Sequence, residues 1–84
     1  MTDDILPRIK KILTDQFDVA DDAVKPDAKL AEDFRLDSIE GVELIFALEE
    51  EFGVEITDAE VKEITTVGDL VEAARQKLAA KADA

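Results

Sequence analysis

Leu36-Asp37-Ser38-Ile39-Glu40-Gly41-Val42-Glu43-Leu44-Ile45-Phe46-Ala47-Leu48-Glu49-Glu50-Glu51-Phe52-Gly53 is the stretch around which the rest of the chain is read. Asp37 can accept from the free N–H groups of a helix start, and Glu40 three residues on completes the form of a capping box. Gly53 supplies a left-handed stop. The spacing predicts a helix from about Asp37 to Phe52, with Ser38 in its first turn. At about 100° per residue, its apolar side chains fall on two stripes rather than one. Leu44, Ile45, Leu48 and Phe52 form the expected core face. Ile39, Val42 and Phe46 fall on another side, in the quadrant of Ser38, and Glu40, Glu43, Glu50 and Glu51 fill the arc between. A small domain has little use for a second stripe unless another part of the chain or a partner covers it. The acidic arc favours a basic partner.

Upstream, the segment from Asp18 to Leu36 sustains neither helical nor strand period. It reads as a long connection pinned by Val19, Val24, Leu30, Phe34 and Leu36, with a short helical turn near Asp21 to Val24. Before it, Ile5, Ile9, Ile12, Leu13 and Phe17 recur at helical spacing. Asp4 as N-cap would put Pro7 in the first turn, where its missing N–H costs little. Downstream, Val54-Glu55-Ile56 reads as extended, and Thr57-Asp58-Ala59-Glu60 repeats the capping-box form to open a short helix ending near Glu63. Thr66 as N-cap with Asp69 at N3 opens the last helix, whose apolar face is Val67, Leu70, Val71, Ala74 and Leu78. Residues 79–84 have nothing to bury and are expected to fray. Three longer helices, a short third one and a long loop between the first two, without a credible strand, make an all-α fold. It is a small four-helix bundle in a single domain spanning residues 1–84.

A chain of 84 residues holds one core and is marginally stable. With no cysteine there is no disulfide and no thiol of its own; with no histidine, the commonest general base and metal ligand is missing. A net charge of −12 makes nucleic acid and anionic membrane poor partners. Nine acidic residues and no Lys or Arg lie between Leu36 and Val61. This concentration reads either as a solvated face or as a landing site for proteins rich in Arg and Lys. Neither a membrane-length apolar run nor a basic-then-apolar leader is found, so a soluble cytoplasmic protein, not inserted in a membrane, is expected.

Catalytic readings find little support. Without histidine, a serine nucleophile would depend on Asp37 or a lysine for its proton. Glu49, Glu50 and Glu51 point in different directions from a helix, with no desolvating pocket to tune them. Asp18 to Lys29 lacks the glycine and the alternate acidic spacing of an EF-hand, and the acidic clusters offer divalent ions only unspecific attraction, so no metal site is expected. Ser38 remains: a hydroxyl at a helix start, beside an apolar stripe. Read from the local residues alone, it is either one more capping group or a reactive handle.

Asp37-Ser38-Ile39, followed by Glu40-x-Val42-Glu43-Leu44 and Ala47-Leu48-Glu49-Glu50-Glu51-Phe52, resembles the acyl carrier protein family. The resemblance continues through Glu55-Ile56-x-Asp58-x-Glu60 and Ile64-Thr65-Thr66-Val67, and covers all but the last few residues. It implies a carrier rather than an enzyme. A phosphopantetheinyl transferase using Mg²⁺ would attach 4′-phosphopantetheine from coenzyme A to Ser38, within the motif Asp37-Ser38-Ile39. Acyl groups would then ride as thioesters on the arm's thiol, which suits a chain without cysteine. The resemblance also gives the stripes different jobs. Ile39, Val42 and Phe46, framed by Asp37, Glu40, Glu43 and Glu50 with Arg35 close by, would dock basic patches of transferase, synthase and reductase enzymes onto a monomeric carrier. Leu44, Ile45, Leu48, Ile56, Val61 and Ile64 would line a cavity for the acyl chain.

Four positions depart from the family pattern. Arg35 stands where glycine is usual, Ile39 replaces leucine, and Phe46 takes a commonly aliphatic or methionine position. Gly41 lies inside the helix at a cost of about 1 kcal/mol relative to Ala. Together they suggest a dedicated carrier in fatty-acid or related specialised lipid biosynthesis. An aminoacyl, peptidyl or polyketide carrier, or an unmodified acidic interaction module, is the alternative.

Overall fold

The computed structural model describes residues 5–83, with side chains through Lys81. Its helices are α1 (Ile5–Gln16), α2 (Ser38–Phe52), α3 (Asp58–Glu63) and α4 (Val67–Asp83), and no strand occurs among the described residues. The expected four-helix, all-α architecture is therefore the one observed. The expected cap at Asp4 lies outside the described residues.

The long helices form because each places an apolar stripe where the others can cover it. Ile5, Ile9, Ile12 and Leu13 of α1 meet Leu44, Ile45, Leu48 and Phe52 of α2, with Val67, Leu70 and Ala74 of α4 closing the core. The inner stripe expected for α2 is thus the buried one. Arg8 fastens α1 to the end of α2. Its guanidinium lies 4.3 Å from the Phe52 ring centroid, while Nε donates to Glu51 Oε2 at 2.8 Å and Nη2 to the Glu51 carbonyl at 2.7 Å. Gly53 ends α2 at φ 65, the left-handed conformation that glycine adopts without steric cost.

The long connection is ordered by backbone bonds and apolar pins. Asp18, itself left-handed at φ 59, turns the chain so that the N–H groups of Phe17 and Val19 both donate to the Leu13 carbonyl. A single 3-10 turn follows at Asp21–Ala23, as the sequence suggests. Val24, Ala28 and Leu36 are buried, and Val19, Leu30 and Phe34 pack against the core. Sequence spacing gives no sign of the next feature. The segment pairs with the α3–α4 junction through an antiparallel bridge between Lys29 and Thr66. Leu30 N donates to Thr65 O at 2.9 Å, Val67 N to Ala28 O at 3.0 Å and Gly68 N to Pro26 O at 2.7 Å. Any Cβ on Gly68 would stand 2.9 Å from that Pro26 oxygen, so this close approach requires glycine.

Both downstream capping boxes are present. Thr57 and Glu60 bond reciprocally at the start of α3. At α4, Thr66 Oγ1 accepts from Asp69 N at 3.1 Å, and the Asp69 carboxylate accepts from the N–H groups of Thr65 and Thr66. α4 is helical to Asp83, through most of the segment expected to fray. Alanine and lysine are strong helix formers, and Lys81 Nζ donates to the Gly53 carbonyl at 3.0 Å, tying the last turns to the end of α2.

The two stripes of α2 give a paired test. Leu48→Ala, at a position with 0% exposure, lowers unfolding free energy by about 2–5 kcal/mol, whereas Phe46→Ala, at 58% exposure, changes it by no more than about 0.5 kcal/mol. Urea unfolding followed by circular dichroism measures both.

Candidate functional site

At the start of α2, Asp37 is the N-cap residue, with extended backbone at φ −81, ψ −176. Its Oδ1 accepts from Glu40 N at 2.8 Å, and its own N–H donates to Glu40 Oε1 at 3.3 Å. Side-chain capping thus falls to Asp37 and Glu40 rather than to Ser38. Ser38 is the first helical residue and is exposed. The unpaired N–H groups and macrodipole of this helix end favour an anion beside it. Arg35, three residues before Ser38, is exposed and left-handed at φ 57.

The second stripe of α2 is open. Ile39 is 71% exposed, Val42 46% and Phe46 58%; these are the large exposed hydrophobic residues among the described ones. Glu43 and Glu50 beside them are exposed, and Glu40 is half-buried. Ile39, Val42, Glu43, Phe46 and Glu50 are therefore exposed along α2, which Ser38 opens.

A cleft of about 720 Å³ lies between the first half of α2, α3 and the long connection, with Asp37 and Ser38 among its lining residues. Leu44, Ile45, Val61 and Ile64 line it. Leu48 and Ile56, assigned to it from sequence, do not. Leu48 lies one turn further along α2, fully buried in the core, and Ile56 is buried where its N–H donates to Glu49 Oε2 at 2.7 Å. Sequence reasoning missed Leu30 and Leu36 as lining, because the Lys29–Thr66 bridge that brings the connection there joins residues far apart in the chain. Gly41 was missed as well, although its spacing of three from Ser38 was visible. Asp58 and Lys62 of α3 and Lys29 and Glu32 of the connection add charged groups to the lining.

The α3 wall has no fully buried residue; Val61 and the following Ile64 pack half-buried against the core, and polar contacts add to this. Glu60 Oε1 accepts from Lys77 Nζ at 2.8 Å, tying α3 to α4. This bond, then those from the Thr57 N–H and hydroxyl, lower the Glu60 pKa from 4.5 to about 2. Asp69 is also held below the usual carboxylate range, by the backbone N–H groups of Thr65 and Thr66 first and their hydroxyls after.

A family model described as the phosphopantetheine attachment site matches residues 7–74. An acyl carrier protein of Thermosynechococcus vestitus is 48% identical over 77 residues, which are 92% of this chain and 95% of that relative. Among solved structures, an acyl carrier protein from Enterococcus faecalis superposes with a TM-score of 0.78 at 32% identity, covering 92% of this chain and 98% of that one. Another from Thermotoga maritima gives 0.79 at 25% identity, over 92% and 89%. The bundle and the matched site together define a carrier domain bearing covalent 4′-phosphopantetheine, not an enzyme. The chain belongs to the acyl carrier protein family. Its members work with transferase and synthase enzymes. Among the described residues, no helix is long and apolar enough to cross a membrane.

The Glu60 contacts give a pH test. Because its folded pKa is depressed, Glu60 stabilises the fold fully above its ordinary 4.5, and this contribution disappears as pH falls toward about 2. The stability difference between the unaltered chain and Glu60→Gln, from urea unfolding across pH, is therefore largest above pH 4.5 and closes by about pH 2. A difference that is flat with pH would contradict it.

Proposed function

We propose that Ser38 is the residue that carries 4′-phosphopantetheine, and that the chain serves as a monomeric cytoplasmic acyl carrier in fatty-acid or related specialised lipid biosynthesis. The observation that supports this most directly is the placement of Ser38. It is exposed at the first position of α2, its neighbours Asp37 and Glu40 do the capping, and it belongs to the wall of a mostly apolar cleft. These residues fit the group. The helix N-terminus favours the phosphodiester anion, and an exposed hydroxyl can enter a transferase active site. Ser38 Oγ loses its proton to a base on the transferase and bonds to the pantetheine-side phosphorus of coenzyme A, displacing the nucleotide. The attached arm supplies the thiol that forms a thioester with an acyl group. The cleft walls Leu44, Ile45, Val61 and Ile64 shelter the acyl chain from water.

Docking is assigned to the outer stripe. Ile39, Val42 and Phe46 offer apolar contacts, while Glu40, Glu43 and Glu50 steer basic patches of transferase, synthase and reductase enzymes toward Ser38. Arg35 contributes a cation near the modification site, where it discriminates among partners by repelling basic residues. Net charge −12 disfavours nucleic acid.

Incubation with coenzyme A, Mg²⁺ and a broad-specificity phosphopantetheinyl transferase adds one phosphopantetheine by intact-mass analysis, and Ser38→Ala abolishes the addition. An addition that survives Ser38→Ala would sink the assignment. For docking, Glu43→Lys or Glu50→Lys weakens transferase or synthase binding by on the order of 1–2 kcal/mol at low salt and by less at high salt, with the helical dichroism unchanged. Equal weakening at both salts would argue against electrostatic docking.

A further inference from the structure

Gly41 stands three residues after Ser38 on α2, so the two share a helix face, and both line the cleft. Neither of the usual needs for glycine applies there. Its backbone is helical, without the positive φ found at Gly53, and its N–H donates to the Asp37 carbonyl at 2.8 Å in the ordinary helical pattern. Any Cβ there would meet nothing within 4 Å, so no neighbour excludes a side chain. Alanine would fit without contact and would favour the helix. What glycine alone supplies is bare backbone and empty space in the cleft wall, beside the hydroxyl of Ser38.

We propose that Gly41 is a specificity-determining position: its missing side chain is the opening through which a carried aliphatic acyl chain passes from the Ser38 side into the cleft, against the α2 backbone. The proposal rests on the reading that the cleft holds the acyl chain. Its chemistry follows from the walls beyond the opening, where Leu44 and Ile45 of α2 face a space also lined by Val61 and Ile64. These four side chains suit a hydrocarbon, and the charged groups of the lining, Lys29, Glu32, Asp58 and Lys62, come from α3 and the long connection rather than from α2. A side chain at residue 41 narrows the passage in proportion to its size, without disturbing the core stripe of Leu44, Leu48 and Phe52.

The test uses the full chain carrying phosphopantetheine, bare or octanoylated, with loading verified by intact mass. Melting is followed by circular dichroism for the unaltered chain, Gly41→Ala and Gly41→Leu. An acyl chain held only in the folded cleft raises the melting temperature by linkage. Without acyl, Gly41→Ala melts roughly 4–8 °C higher, from helix propensity alone. The increment given by the octanoyl group is greatest in the unaltered chain, smaller in Gly41→Ala and absent in Gly41→Leu. Equal increments in all three proteins would overturn the role of Gly41 while leaving the cleft as the acyl site. No increment in the unaltered chain would overturn both.

Discussion

The reciprocal bonds between Asp37 and Glu40 are the constraint on which the site depends. They satisfy free N–H groups at the start of α2 and fix Ser38 as its first helical residue. Were the helix to begin a turn later, Ser38 would belong to the preceding loop, and its direction relative to the two apolar stripes would be unset. Begun where it is, α2 carries three surfaces in fixed phase. One packs on α1 and α4, one borders the cleft, and one meets solvent with Ile39, Val42 and Phe46. A hydroxyl at the first helical position can therefore be reached from outside while it also borders an apolar wall.

The two sides of the cleft are held by different physics. The α2 side is anchored by side chains with almost no solvent exposure, Leu44 and Leu48 among them, and parting it from α1 would expose core. Across the cleft, α3 buries no residue fully. Apart from the half-buried Val61, which packs against the core, it is held by the Glu60–Lys77 ion pair and the junction that bridges to Lys29. Contacts of this kind each contribute little and can be exchanged for bonds to water at small cost. Of the two sides, α3 is therefore the one that can move at smaller cost, while the core keeps its packing.

Much of this was legible because it follows local rules. Capping pairs three residues apart announced the starts of α2, α3 and α4, and the period of the apolar residues separated the buried stripe of α2 from the exposed one. What escaped was set by contacts between distant residues. The long connection offers no pattern that would pair Lys29 with Thr66 or place Leu30 and Leu36 in the cleft. The stripe containing Leu44, Ile45 and Leu48 is a single apolar face in sequence, yet its first turn borders the cleft and the next is sealed in the core. Periodicity gives the side of a helix but not which neighbour covers each turn. Lys81 likewise finds its acceptor at Gly53, on another element.

Arg35 shows how a backbone requirement can outlast the residue that meets it most cheaply. By sequence it stood out as a charged residue at a position where the resembling family has glycine. The structure supplies the physical reason for glycine there: the chain takes φ 57, the left-handed region that costs a side-chain-bearing residue about 1–2 kcal/mol. The conformation is imposed from both sides. Leu36 N donates to Leu30 O at 3.2 Å, and Asp37 must arrive extended to cap α2. Arginine at this position therefore adopts the backbone the site needs instead of relaxing it. The resulting strain is a sizeable share of the stability of so small a domain. It is tolerated because the loop is pinned at Leu30 and Leu36 and because the capping bonds beyond it would be lost if the turn relaxed.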